Sequence, residues 1–595
     1  MSKYQNTRLL DSVRRSILST DGEKISRPTR GSVLLLLVLL ASLQGCSRKD
    51  PSSNSTAVSP FELNKQQNVE FLTRRSYAPW VLTSHDMTET TRPYLANGVT
   101  GYLMDSGGDS ASEIKSGKYV GNTIVELPKQ LKAVSKFALL SSPGYQQALD
   151  MFHGTLLTVN HGKAIKFSPP GLDQNYWPQF WNNSDVIVPN DPQAQQVLHV
   201  FLYDMASSVK PNGRGSLPPM GLSSIVYNGH IFWDADSWMF PALLVQHPRR
   251  ALAFINYRYD RLNAAKENAR KHGRLGAEFP WESAATGAEV APGEFATERH
   301  VTADVGIAAW QYYQWTGDRS YLRNEGWKII KACADYWMSR VSLGKDHKFH
   351  IDRVLSPDET AGLVDDDAYT NAAAKQCLSD AIAAEKALNI SPSPLYALIS
   401  DRIVIPTTGG PDGIIAEHSN ATRSLMSKQA DTALLIFPLG LDISAQAQRE
   451  LIEYSKSHTI STGPAMTSCI WSIAESELQN RTAALNDFRN AYQPFMRGPF
   501  DSFSEKRTAT RTNFFTGMSG CVESVLYGFA GIRVTSNPTA ATKYIVCRAS
   551  DGTTLEAIPH VPSEWKSLQI RGVKFRGHIF DLTERSDGNV IFASR

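Results

Sequence analysis

The sequence predicts a chain of β–α–β order in which a long helical domain carries the chemistry. Three observations point there. Between Phe61 and Ile165, short apolar runs alternate with Gly and Ser breaks, as in Asn97-Gly98-Val99-Thr100-Gly101-Tyr102 and Gly154-Thr155-Leu156-Leu157-Thr158-Val159, the pattern of strands joined by turns. From Pro248 onward, apolar residues recur at helical spacing between Gly/Pro loops. After Arg533 the alternation returns to period two, as in Leu568-Gln569-Ile570-Arg571-Gly572-Val573-Lys574-Phe575. The chain has 595 residues, 42 % hydrophobic and 20 % charged. That is enough to bury large cores and is unlike a disordered composition.

Taken in order, residues 1–45 read as a lipoprotein signal peptide. Arg27 and Arg30 precede the run Val33-Leu34-Leu35-Leu36-Leu37-Val38-Leu39-Leu40-Ala41, followed by Leu43-Gln44-Gly45-Cys46. The apolar run is too short to span a bilayer as a helix but fits a signal h-region. Leu-x-Gly-Cys is similar to a bacterial lipobox, so Cys46 is the expected lipidation site. Residues 46–60, rich in Ser, Asn and Pro, read as a tether. The expected location is the bacterial cell envelope, lipid-anchored. Ser47 after the cysteine, in place of Asp, points to the outer membrane, on its periplasmic or its surface face.

Residues 61–165 form the expected β unit, and 166–195, rich in Pro, Asn, Asp and aromatics, the expected linker. Helices are expected at Pro248–Lys271 (ending at Gly273), Thr302–Trp315, Ser320–Val341, Ala368–Leu388, Ser444–Ser455, Thr467–Leu478, Thr482–Tyr492 and Gly517–Phe529. This alternation across 196–535 describes stacked helical hairpins, of which an (α/α) barrel is one closed form. No repeat of solenoid period is visible. Residues 536–595 are the C-terminal β domain.

Charge and cysteines exclude several classes. Residues 1–45 hold seven Lys/Arg and three Asp/Glu, leaving 54 basic and 55 acidic residues in the body. A neutral body has no electrostatic footprint for nucleic acid. Cys333, Cys377, Cys469, Cys521 and Cys547 form no CxxC motif and are an odd number, so no disulfide framework is expected. There is no GxGxxG opening a helix, no P-loop, no HExxH and no GxSxG.

What remains is carboxylates in aromatic-rich loops. In His230-Ile231-Phe232-Trp233-Asp234-Ala235-Asp236-Ser237-Trp238, an acid between tryptophans suits a sugar, whose apolar face stacks on indole while the acid accepts from hydroxyls. It equally suits a helix cap above a core Trp. Phe279-Pro280-Trp281-Glu282-Ser283 is either a pocket wall or a surface turn. Ser356-Pro357-Asp358-Glu359-Thr360, trailed by Asp365-Asp366-Asp367, is a loop that lacks the alternation of a calcium-binding loop. Lys428-Gln429-Ala430-Asp431 reads as the head of a helix, and Phe503-Ser504-Glu505-Lys506 as a loop glutamate beside a lysine. Two remote carboxylates on loops meet the requirement of glycoside hydrolysis, one protonating the leaving oxygen and one activating water or attacking the sugar.

Together, Gly229-His230-Ile231-Phe232-Trp233-Asp234, Pro280-Trp281-Glu282-Ser283, Ser356-Pro357-Asp358-Glu359, Lys428-Gln429-Ala430-Asp431, Gly463-Pro464-Ala465-Met466-Thr467 and Asn513-Phe514-Phe515-Thr516-Gly517 resemble glycoside hydrolase family 65. They are most similar to its hydrolase branch of protein-glucosylgalactosylhydroxylysine glucosidases, kojibiose hydrolases and acid trehalases. The resemblance runs from about Trp177 to Val534. It implies a mainly α fold, an (α/α)6 barrel between an N-terminal β-sandwich and a small C-terminal β domain. It also implies an inverting α-glucoside hydrolase that needs no metal or organic cofactor. Glu359 would be the general acid and Glu505 the general base. Trp233 and Asp234 would hold the non-reducing glucose, Lys428 and Gln429 would contact its hydroxyls, and Trp281 and Glu282 would shape the pocket.

The acid must carry its proton at working pH, which burial or a like charge such as Asp358 favours; the base must stay ionised, which Lys506 or Arg507 would assist if turned inward. A carboxylate at 505 repels phosphate, favouring hydrolysis over phosphorolysis. The acid motif continues Thr360-Ala361 where the family usually has Tyr-His, which bears on the leaving-group side. The rival expectations are a disaccharide phosphorylase and a non-catalytic surface glycan-binding lipoprotein. The linkage and the oligomeric state leave no mark in the sequence.

Overall fold

The computed structural model describes residues 79–595 apart from 131–143, 161–162, 409–412, 423–424, 509–511 and 537–543. The expected signal peptide, tether and Cys46 lie outside the described residues.

Two antiparallel four-stranded sheets come first. One has the order β1 (Val81–Ser84), β6 (Gln146–Asp150), β7 (Thr155–Asn160), β8 (Lys163–Phe167). The other runs β2 (Tyr94–Ala96), β3 (Thr100–Met104), β4 (Ser110–Val120), β5 (Thr123–Gln130). Alternate residues of β7 are buried, the signature of a half-buried strand. The sheets touch where Tyr102 meets Phe167 edge-on at 5.3 Å and where Gln147 Nε2 donates to the Asp105 carbonyl at 2.8 Å. The far end of the β4–β5 hairpin leaves its sheet and reaches the helical region, where Tyr119 Oη donates to the Gly229 carbonyl at 2.6 Å.

The stretch 166–195, expected as a linker, is structured. It carries a helix, Tyr176–Asn183, and a strand, β9 (Asp185–Ile187). The reason is its aromatics: Trp177 and Trp181 are buried, and Trp181 Nε1 donates to the Met151 carbonyl at 2.9 Å. Strand β9 then pairs with Ser567–Phe575, completing the C-terminal sheet whose other strands are His578–Arg585 and Val590–Ser594. A second C-terminal sheet of three strands begins at Ile532.

Between these β-rich regions the chain is helical. Helix Ala368–Leu388 has the expected bounds: Asp367 caps it by accepting from Thr370 N at 2.7 Å, and Asn389 ends it at φ 60°. The Pro248–Lys271 expectation resolves into two helices, Pro248–Asp260 and Leu262–Lys271, joined at Arg261. A helix not anticipated, Pro192–Ser208, is capped by Asp191 and buried along most of its length. Helices Val301–Thr316, Trp327–Arg340 and Ala368–Leu388 approach closely at Gly306, where a Cβ would lie 2.8 Å from Cys377 Sγ and 3.1 Å from Cys333 Cβ. The Lys428–Asp431 segment leads into only a short 3-10 turn, Thr432–Leu435, which Asp431 does not cap. All five described cysteines are free thiols, and four of them are buried.

Candidate active site

The floor of the site begins with an ion pair. Arg258, on helix Pro248–Asp260, grips Asp236 through Nη2 at 2.5 Å and Nε at 3.2 Å, and both side chains are buried. Removing one partner of such a pair would strand a charge, so the segment after Trp233 is rigidly fixed. Backbone bonds in both directions between Ile231 and Ser283, 2.8 and 3.0 Å, tie this loop to the Pro280–Ser283 loop. Trp233 is 2 % exposed and packs edge-on against Trp238, His300 and Tyr369, with Trp281 tilted at 6.2 Å.

Asp234 is buried and accepts from Thr516 Oγ1 at 2.5 Å. Burial, with the nearby Glu505 and Glu359 carboxylates and against the Thr516 hydrogen bond, pushes its carboxyl up to about 6.

Glu359 sits on the turn between the short strands Val354–Leu355 and Leu363–Val364. Lys428 Nζ lies 2.7 Å from its Oε2. The turn is tied down by its neighbours: Lys428 N donates to Asp358 at 2.8 Å, Asp358 N to Asp431 at 3.2 Å, and Gln429 Nε2 to the Pro357 carbonyl at 2.8 Å. Beneath it lie the buried carboxyls of Asp358, Asp367, Glu417 and Asp431. Burial first, then repulsion from neighbouring carboxylates, raises Asp367, Glu417 and Asp431. Behind Trp233, His300 bridges Asp304 at 2.8 Å and Glu298 at 2.9 Å. Burial opposes the imidazolium, but Asp304 and Glu298 outweigh it and lift His300 to about 10. Burial lifts Glu298 to about 8, leaving it neutral beside the His300–Asp304 pair at pH 7.

Glu505 follows the short strand Ser502–Phe503. Its carbonyl accepts from Ala465 N at 2.8 Å, and its Oε1 accepts from Tyr227 Oη at 2.8 Å. Asn513 steadies the segment, accepting from Phe503 N at 3.3 Å and donating to Asp204 at 2.8 Å. Lys506 and Arg507 do not turn inward. Both are exposed, and Arg507 donates to the Ser461 carbonyl and lies over the Phe495 ring.

The fold therefore gathers Asp234, Glu359 and Glu505 around Tyr227, whose hydroxyl feels the charge of all three. Trp233 and Trp281 are both buried, and Lys428 is held by Glu359. Gln429 is committed to the Pro357 carbonyl, and Glu282 to His230 Nδ1 at 2.6 Å. The acidic run is divided among structural tasks: Asp365 accepts from Arg353 N, Asp366 from His350, and Asp367 caps a helix. Sequence reasoning missed Tyr227, Glu417 and the Glu298–His300–Asp304 cluster. For Tyr227 the available signal was the Tyr-Asn-Gly turn directly before His230.

A family model described as the glycosyl hydrolase family 65 central catalytic domain matches residues 199–398. A kojibiose hydrolase of Mucilaginibacter mallensis is 42 % identical over 67 % of this chain and 56 % of its own length. A kojibiose hydrolase of Flavobacterium johnsoniae is 35 % identical over 88 % of this chain and 76 % of its own. A solved structure of a candidate kojibiose phosphorylase from the human microbiome superposes with TM-score 0.58 at 16 % identity, covering 87 % of this chain and 88 % of the other, a likeness of fold.

Proposed function

The chain belongs to glycoside hydrolase family 65, and from that premise we propose that it is an inverting α-glucoside hydrolase that releases β-glucose from kojibiose or a similar α-linked glucosyl end. The observation that carries this reading is the convergence of Glu359 and Glu505, from remote loops, on the same buried Asp234 and on Tyr227. In the proposed reaction the terminal glucose lies against Trp233 and Trp281, with Asp234 accepting from its hydroxyls. Glu359 donates a proton to the glycosidic oxygen while Glu505 takes one from a water attacking the anomeric carbon from the opposite face. A sugar hydroxyl that draws Lys428 away from Glu359 would leave that carboxyl free to face the glycosidic oxygen.

The helical domain is read as the closed (α/α)6 barrel of the family. Contact between its first and last helices supports closure, with Ser519 Oγ 2.7 Å from Met205 Sδ. The Leu43-Gln44-Gly45-Cys46 motif supports a lipid anchor in the bacterial envelope, which incorporation of labelled palmitate, lost in Cys46→Ser, would test.

The test of the activity is proton NMR of the enzyme with a panel of α-linked glucose disaccharides, with and without phosphate. Fresh β-glucose without phosphate is the expected result. β-Glucose 1-phosphate appearing only with phosphate would make the protein a phosphorylase, and no turnover of any sugar would favour the glycan-binding reading.

A further inference from the structure

The turn that precedes the Trp233 loop is unusual in three consecutive residues. Tyr227 has φ 56°, Asn228 φ 54° and Gly229 φ 66°, and of these Tyr227 bears the side chain that disfavours this left-handed region, which Asn and Gly tolerate. Such backbone persists where surrounding contacts enforce it, and here they come from the N-terminal β unit. Tyr119 Oη donates to the Gly229 carbonyl at 2.6 Å, Thr123 Oγ1 reaches Asn228 Oδ1 at 3.4 Å, and the Asn122 carbonyl meets His230 Nε2 at 2.6 Å. Ile124 packs so closely on Gly229 that an added Cβ would lie 2.2 Å from its methyl carbon. The product of this clamp is the position of Tyr227. Its ring stands edge-on to Phe232 at 5.7 Å, and its hydroxyl donates to Glu505 Oε1 at 2.8 Å. The side chain is 41 % exposed, so it is placed by the turn and the Glu505 bond more than by packing.

We propose that Tyr227, held in its left-handed turn by the β4–β5 hairpin, is a positioning residue for Glu505. In this role it orients that carboxylate and holds it ionised for water activation, and the N-terminal β unit is thereby part of the active site. The inference rests on the reading of Glu505 as general base. A phenol O–H donating to a carboxylate favours its charged form, and it occupies one oxygen so that the other faces the reacting water. Among the described residues, these groups face Glu505. Tyr227 comes from the turn, Asp234 from the Trp233 loop, and Glu359, paired with Lys428, from across the pocket. The Pro464–Met466 segment offers a backbone N–H to the Glu505 carbonyl, not a titrating group. Lys506 and Arg507, on its own segment, face away. Among the described residues, the phenol is the group that donates to the Glu505 carboxylate while Asp234 and Glu359 repel it.

The test is the pH dependence of hydrolysis for the full chain and for Tyr227→Phe, which keeps the ring and loses the O–H. In Tyr227→Phe, kcat should fall about 30-fold, a part of the roughly 10²–10⁴-fold that a general base supplies, with KM nearly unchanged. The acidic limb of the kcat/KM profile should move to higher pH, because the carboxylate protonates more readily without its donor. Tyr119→Phe, acting from the hairpin, should shift the same limb by less. In a Glu505→Ala background rescued by azide, adding Tyr227→Phe should cost nothing further, since a residue that acts through Glu505 has nothing left to position. An unchanged limb in Tyr227→Phe, or full additivity with Glu505→Ala, would overturn the inference while leaving the hydrolase reading intact. Absence of hydrolysis in the unmutated chain would instead overturn that reading.

Discussion

The Glu359 and Glu505 corners of the site are held in opposite ways. Glu359 rests on a turn whose ties, from Pro357, Asp358, Lys428, Gln429 and Asp431, all belong to the helical domain and are mostly buried. Beneath it, carboxyls crowd together in a dry interior, where negative charge is costly and protons are retained. Glu505 is half-buried, and its described side-chain tie is a half-exposed tyrosine clamped by a different part of the chain. The contrast teaches how one site can hold two glutamates by unlike means. Glu359 is paired with a lysine above a layer of buried carboxyls; Glu505 takes a donated hydrogen bond from a residue open to water.

The largest effect that would test this contrast is on turnover. Glu359→Gln and Glu505→Gln should each lower kcat by roughly 10²–10⁴-fold while leaving the thermal midpoint unchanged; retained turnover in either variant would break the assignment of corners. Next is the floor that both corners share. Arg258→Met leaves the Asp236 carboxylate buried and alone, and should destabilise the fold by about 3–5 kcal/mol in urea titrations.

The third effect separates the corners by pH. Glu298, raised to about 8, and His300, raised to about 10, both bind more protons folded than unfolded. Glu298 therefore loses stability as the pH climbs from its unfolded value of about 4.3 to 8, and His300 from about 6.5 to 10. The thermal midpoint should fall between pH 6 and 9, and Glu298→Gln should flatten the earlier part of that fall. Tyr227→Phe, at the other corner, should leave the curve in place. Smallest is Thr516→Val, which removes one hydrogen bond to Asp234, about 1 kcal/mol. It should raise KM a few-fold, more so below pH 7, because the Asp234 carboxyl then protonates at a pH above its present value of about 6.

The parts of the molecule legible in the sequence are those governed by local rules. Ala368–Leu388 announces itself by period and by its Asp367 and Asn389 ends. The β-rich flanks show by alternation, and the loops bearing Trp233, Glu359 and Glu505 by carboxylates set among aromatics. What was not legible depends on tertiary approach. Asn228-Gly229 marks a turn beside Tyr227, but nothing there indicates that a hairpin from a separate sheet will hold it. Nothing near Lys428 foretells an ion pair with Glu359. Residues 166–195 read as a linker because a three-residue strand with a remote partner carries no periodic signal of its own, and Pro192–Ser208 was passed over although Asp191-Pro192 is a sound helix start.

That remote partner also sets a timetable. Arg571 on the C-terminal sheet reaches back to Asp185, 386 residues earlier, at 2.7 Å, and Gln246 Nε2 joins the carbonyls of both. During synthesis, strand β9 emerges long before its partner exists, and the edge that pairs with residues 569–571 stays open until those residues have been made. The helical domain must therefore assemble around an unfinished border, and a ribosome that stalls or a protease that trims the tail would leave it so. Residues 569–571 act as a latch for 185–187, made far earlier.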